Sequence, residues 1–157
     1  MKKAHSLGLQ AGFYVNNCIC GENQWRGNAT WEAVVYEGTA KAILAWGFDG
    51  VKIDSCSEFT NMTRWAELFA ASGKPMVLEN CHNSDGQDPC PEAKACPATG
   101  VCPYNLWRLG RDIGASWGSI YSNLQDVIPW NQGTPSLSRP GRWGYPDMMQ
   151  VGQLASY

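Results

Sequence analysis

The sequence holds no run of eighteen apolar residues, so it offers no helix that could span a bilayer. Its 12 Lys and Arg against 14 Asp and Glu give a formal charge of -2, and no stretch gathers basic residues. That argues against a nucleic-acid partner, because phosphate binding needs concentrated Lys and Arg. Neither G-x-G-x-x-G nor G-x-x-x-x-G-K-[ST] occurs, so a doubly wound nucleotide-binding sheet lacks its phosphate turn. A serine-nucleophile elbow, G-x-S-x-G, is missing too, and there are 2 histidines, of which His5 falls on a predicted surface helix. Cys90, Cys96 and Cys102 are spaced too widely for the close C-x2-4-C pairs of a zinc knuckle. The opening residues, Met1-Lys-Lys-Ala-His-Ser-Leu-Gly8, lack the apolar core of a secretory leader.

What is present suits one domain with a real core: 157 residues, 44% of them hydrophobic. The 8 Trp and 6 Tyr are many for this length, and flat amphipathic rings suit sugars as well as cores. The 7 cysteines and two sequons, Asn28-Ala-Thr30 and Asn61-Met-Thr63, point to an oxidising, glycosylating route. An odd cysteine count leaves at least one thiol unpaired.

Met1 to Ser6 reads as the last turn of a helix, stopped by Gly8 in a left-handed position. Leu9 to Val15 is a predicted strand, and Asn16 to Gly27 a polar loop. Val34, Val35, Ile43 and Leu44 predict a helix from about Thr30 to Trp46, ended by Gly47. In the strand Gly50 to Asp54, Val51 and Ile53 alternate with Lys52 and Asp54, which puts a lysine and an aspartate on one face. Asn61 caps a helix to about Ala71 with Trp65, Leu68 and Phe69 as its buried stripe and Gly73 as its stop. Pro75 to Glu79 is a third strand. The stretch from Asn80 to Pro103, with four cysteines, reads as a stapled loop. Leu106 to Ile113 is a fourth strand candidate. Trp117, Ile120, Tyr121, Leu124 and Val127 mark a helix halted by Pro129, and Pro140 to Met149 a loop entering a fifth strand.

Alternating strands and helices imply right-handed parallel crossovers, and Asp54, Glu79, Asp112 and Asp147 each fall at a strand end. Carboxylates at several strand ends are the mark of a (β/α)8 barrel. The expected fold is therefore α/β, a partial TIM barrel of about five β/α units, the third to seventh strands, with residues 1–157 a fragment of a single catalytic domain. Two carboxylates facing each other across a barrel mouth are the machinery of glycoside hydrolysis. One attacks the anomeric carbon as an anion, kept ionised by a nearby lysine. The other holds a proton for the leaving oxygen and needs burial and a neighbouring carboxylate to do so.

Four segments carry a specific resemblance. Gly50-Val-Lys-Ile-Asp-Ser-Cys56 resembles the K-x-D-G-C strand of the α-galactosidase and α-N-acetylgalactosaminidase (melibiase) family of retaining glycosidases. Trp107-Arg-Leu-Gly-Arg-Asp-Ile-Gly-Ala-Ser-Trp117 resembles its W-R-x-x-x-D-I-x-x-S-W segment, and Arg139-Pro-Gly-Arg-Trp-Gly-Tyr-Pro-Asp-Met148 its G-P-G-x-W-N-D-P-D-M loop. Gly8-Leu-Gln-Ala-Gly-Phe-Tyr14 matches the G-L-K-x-G-I-Y strand, so the motifs run in order along almost the whole chain.

The resemblance implies Asp54 as nucleophile and Asp112 as general acid/base, their carboxyls roughly 5 to 6 Å apart. It implies that Lys52 bonds the sugar and helps keep Asp54 charged, that Arg108 and Asp147 hold sugar hydroxyls, and that Tyr14 lines the pocket. It further implies bridges from Cys18 or Cys20 to Cys56, from Cys81 to Cys102, and from Cys90 to Cys96. Neither metal nor cofactor is implied. The partner is an oligosaccharide or glycoconjugate substrate, with no nucleic acid and no membrane, and a homodimer stays open. The implied location is secreted, lysosomal or vacuolar. Departures fall where specificity is set. His82 and Asn83 stand where the family has Glu or Ser followed by Trp, and Gly144-Tyr145 replaces Asn-Asp. The strand with the family's paired Asp for the 4- and 6-hydroxyls would precede Met1. The sugar therefore stays open among galactose, N-acetylgalactosamine and β-L-arabinopyranose. The rivals are a lectin-like galactoside-binding barrel without turnover, and a cysteine-stapled interaction domain in which Asp54 and Asp112 point apart.

Overall fold

The computed structural model describes residues 1–16, 27–54, 59–81, 102–132, 138 and 140–148. They fall into two compact units, Met1–Cys81 and His82–Tyr157.

The first unit runs α1 (Lys2–Ser6), β1 (Gly12–Val15), α2 (Ala29–Trp46), β2 (Gly50–Asp54), α3 (Met62–Ala71) and β3 (Val77–Cys81). Helices α2 and α3 each start where a side chain accepts from amides that have no carbonyl partner in the first turn. The Asn28 side chain accepts from the amides of Thr30 and Trp31, and that of Asn61 from the amide of Arg64. Gly47 ends α2 at φ 85°, a left-handed turn that a Cβ would oppose, with its amide on the Leu44 carbonyl. The strands are parallel and adjacent in chain order, β1 to β2 to β3. Their register sets Tyr14 beside Lys52 and Lys52 beside Glu79, a polar row at one level across three strands.

The alternation expected of β2 holds: Val51 and Ile53 are buried, while Lys52 and Asp54 are half-buried. The core gathers around Trp65, 0% exposed, whose ring stacks on Phe69 at 6.1 Å and meets Tyr36 at 4.7 Å. Its indole N–H donates to the Phe59 carbonyl at 3.0 Å, and the Asn61 amide donates to the Tyr36 hydroxyl at 3.0 Å. Leu68 of the expected stripe is only half-buried.

A polar knot ties the amino-terminal ends of these strands. Asp49, just ahead of β2, accepts from the Ala11 amide at 3.0 Å, meets His5 Nε2 at 2.8 Å and pairs with Lys74 Nζ at 3.2 Å. The Ala11 amide, then the His5 and Lys74 contacts, hold its carboxyl well below the usual carboxylate range. Because the folded state favours the anion, this stabilisation is complete above the unfolded value near pH 4 and fades as pH falls below it. Asp49→Asn should therefore lower the urea midpoint at neutral pH, and the gap from the parent protein should narrow between about pH 4 and pH 2. A gap that stayed constant over that range would show the knot to be uncharged in effect.

The second unit contains β4 (Leu106–Arg108), α4 (Trp117–Asn131) and β5 (Trp143–Tyr145), with β4 and β5 parallel. Two expectations are corrected. The fourth strand ends at Arg108 instead of Ile113, although the amides of Leu109 and Gly110 still donate to the carbonyls of Tyr145 and Pro146. The helix passes through Pro129 to Asn131, since a proline so near the end removes one bond from a turn already short of partners. Trp107 is fully buried, with the Arg142 guanidinium over its ring at 5.2 Å and Gly144 where a Cβ would meet that ring at 3.0 Å.

Cys81 is buried and Cys102 half-buried, and the implied bridge between them would join the first unit to the second. Cys18, Cys20, Cys56, Cys90 and Cys96 lie outside the described residues, as does His82. No described helix is long and apolar enough to cross a membrane.

Candidate active site

Each unit holds its own cluster of polar side chains. In the first, Asp54 closes β2 and Tyr14 sits one pleat lower on β1, close enough for its hydroxyl to donate to Asp54 Oδ2. Desolvation first, then the hydrogen bond and field of Asp54, push the Tyr14 hydroxyl above the ordinary phenol range. A phenol held in its protonated form is a donor, which suits it to orienting a carboxylate. Lys52 Nζ pairs with Glu79 Oε1 at 3.0 Å. This pair runs across strands, to a residue in direct register. Tyr14, Lys52 and Glu79 line one cavity of about 340 Å³, large enough for a small polar ligand. Glu79 was read as a strand-end carboxylate and not as a site residue. The alternation in Val77-Leu-Glu-Asn-Cys81, which sets it on the Lys52 face, was the signal to use.

In the second unit, Arg108 Nη1 bonds Asp112 Oδ1 at 2.5 Å and lies 3.8 Å from Asp147 Oδ1. Asp147 Oδ2 accepts from the amide of Ile113, the residue after Asp112, at 2.8 Å. Arg108 and Asp147 are withdrawn from solvent, which sets them apart from an exposed ion pair. Asp112 is not: its side chain is 90% exposed. Asn123, in the middle of the apolar pattern of α4, is buried with its Nδ2 on the carbonyl of Arg111 at 2.8 Å. The sequence reading passed over it, although a polar residue between Ile120 and Val127 on one helix face marks a hydrogen-bonded group.

Parallel strands alternating with helices define part of a (β/α)8 barrel. Residues 1–156 match the melibiase family model described as alpha galactosidase A, and the chain belongs to that family. It is 28% identical to an α-N-acetylgalactosaminidase of Rattus norvegicus, over 96% of this chain and 36% of the relative. It is likewise 28% identical to an α-galactosidase of Oryza sativa subsp. japonica, over 94% and 33%, and 30% identical to α-galactosidase 2 of Arabidopsis thaliana, over 94% and 35%. The chain thus spans about a third of the length of these relatives.

Proposed function

We propose that the protein is a retaining glycoside hydrolase that removes terminal α-linked galactose-type residues by double displacement. The observation that carries this is the Asp54 carboxylate at the end of β2, held by the Tyr14 hydroxyl beside the Lys52–Glu79 pair. Asp54 attacks the anomeric carbon while Asp112 gives its proton to the departing oxygen, leaving a β-glycosyl ester on Asp54. Water then attacks the same carbon, Asp112 takes its proton, the ester bond breaks and the α-configured sugar leaves. Lys52 and Arg108 serve the sugar and the two catalytic acids, and His82 stands at the position that selects the 2-substituent. The exposed asparagines of both sequons fit a secreted or lysosomal route.

The test uses the complete natural polypeptide with aryl α-galactoside and aryl α-N-acetylgalactosaminide. Proton NMR should show the α-anomer as first product. A fluorosugar that slows the second step should label Asp54, and an initial β-anomer or a label elsewhere would overturn the mechanism. Sugar binding without turnover is the second reading, favoured by the exposure of Asp112. It predicts a stable galactose complex and no hydrolysis of either substrate.

A further inference from the structure

The segment between β4 and α4 carries Asp112, and the peptide groups on both sides of that residue are gripped by buried side chains. On one flank Asn123 Nδ2 donates to the Arg111 carbonyl at 2.8 Å; on the other Asp147 Oδ2 accepts from the Ile113 amide at 2.8 Å. Asn123 is 3% exposed and Asp147 7%. The stem of the segment is fixed by Leu109 and Gly110, whose amides donate to the carbonyls of Tyr145 and Pro146 at 2.8 and 2.7 Å. Gly110 has no room for a Cβ, which would run into the Pro146 carbonyl and the Asn123 amide. Past the grip, the Gly114 amide donates to Ser119 Oγ at 2.7 Å.

We propose that Asn123 and Asp147 are positioning residues that fix the backbone around Asp112 and so aim its carboxyl at the glycosidic oxygen. This rests on Asp112 being the acid/base. An aspartate has two side-chain torsions, so once both adjoining peptides are held its carboxyl sweeps a short arc, and the Arg108 bond selects one point on it. An exposed acid needs such support, because no surrounding wall holds it. Asp147 thereby acts through the Ile113 amide, a different duty from the sugar-hydroxyl contact that the resemblance implied. Loss of either grip lets the segment drift, and a displacement of about 1 Å is enough to cost on the order of 100-fold in rate.

The test compares two glycosides of the same sugar in the complete natural polypeptide, one with a dinitrophenol leaving group that departs without a proton, one with an alkyl alcohol that requires it. Asn123→Ala and Asp147→Ala should each lower kcat/KM for the alkyl glycoside by about 10- to 100-fold and for the dinitrophenyl glycoside by less than about threefold. Asp147→Asn keeps an oxygen for the Ile113 amide and should retain most of the alkyl activity. Equal losses on both substrates with a raised KM, or an Asp147→Asn variant as weak as Asp147→Ala, overturn the proposal, since a carboxylate that binds sugar gives those results. If circular dichroism shows Asp147→Ala unfolded, Asn123→Ala and Asp147→Asn carry the test. Asp112→Ala separates the two claims. No leaving-group dependence there sinks the acid assignment, whereas such dependence with uniform losses at Asn123 and Asp147 sinks the positioning role alone.

Discussion

Asp54→Asn is expected to lower turnover of an aryl α-galactoside by on the order of 10⁴-fold or more while leaving the fold intact. An amide oxygen is a poor nucleophile toward an oxocarbenium-like centre, and it carries no charge to stabilise that centre. Asparagine matches aspartate in shape and can still accept from the Tyr14 hydroxyl, so the local packing has no reason to change. The loss should extend to a dinitrophenyl glycoside, because a better leaving group cannot replace the attacking carboxylate. A companion Asp54→Gly protein supplied with azide should form the β-galactosyl azide, the anion entering from the face that the carboxylate vacated. Turnover within tenfold of the parent protein, or an α-configured azide product, would remove Asp54 from the nucleophile's role.

Trp65→Ala carries the largest expected loss of stability, about 3–5 kcal/mol. The ring is fully buried, stacks on Phe69 and contacts Tyr36, and its N–H serves the Phe59 carbonyl, so truncation leaves both a cavity and a buried acceptor without its donor. With a urea slope of about 2 kcal/mol per molar, the midpoint should move by roughly 2 M. Trp117, 73% exposed, is the control: Trp117→Ala should stay within about 0.5 kcal/mol of the parent. Equal shifts for the two variants would mean that the aromatic seam between α2 and α3 is not the core it looks to be.

Elements whose ends are written in local chemistry were legible in advance. Gly47, Asn61 and Gly73 bound α2 and α3 within a residue or so of expectation, because caps and left-handed turns depend on few neighbours. The length of β4 was not legible, since it depends on which carbonyls of the segment near Tyr145 are within reach. Nor was the passage of α4 through Pro129. In the site, the family resemblance put Tyr14 in the pocket of Asp54, and its hydroxyl donates to that carboxylate. The Lys52–Glu79 pair could not be placed in advance, because it depends on register. Residues i and i+2 of one strand lie about 6.6 Å apart, whereas direct neighbours on adjacent strands are about 4.8 Å apart, so the cross-strand acid is the nearer partner. Asn123 was hidden for a related reason: the carbonyl it serves belongs to another segment.

Strand β2 joins two acids with different work. Asp49 stands just before its first residue, bound up in the knot with His5 and Lys74, and Asp54 is its last. Five residues of extended chain separate them by about 16 Å, roughly twice the screening length of physiological salt. A proton taken up at the foot of the strand is therefore scarcely felt at the head. The acidity at which the protein comes apart and the acidity at which it works best can then drift independently in descent, each adjusted by substitutions at its own end of one short strand.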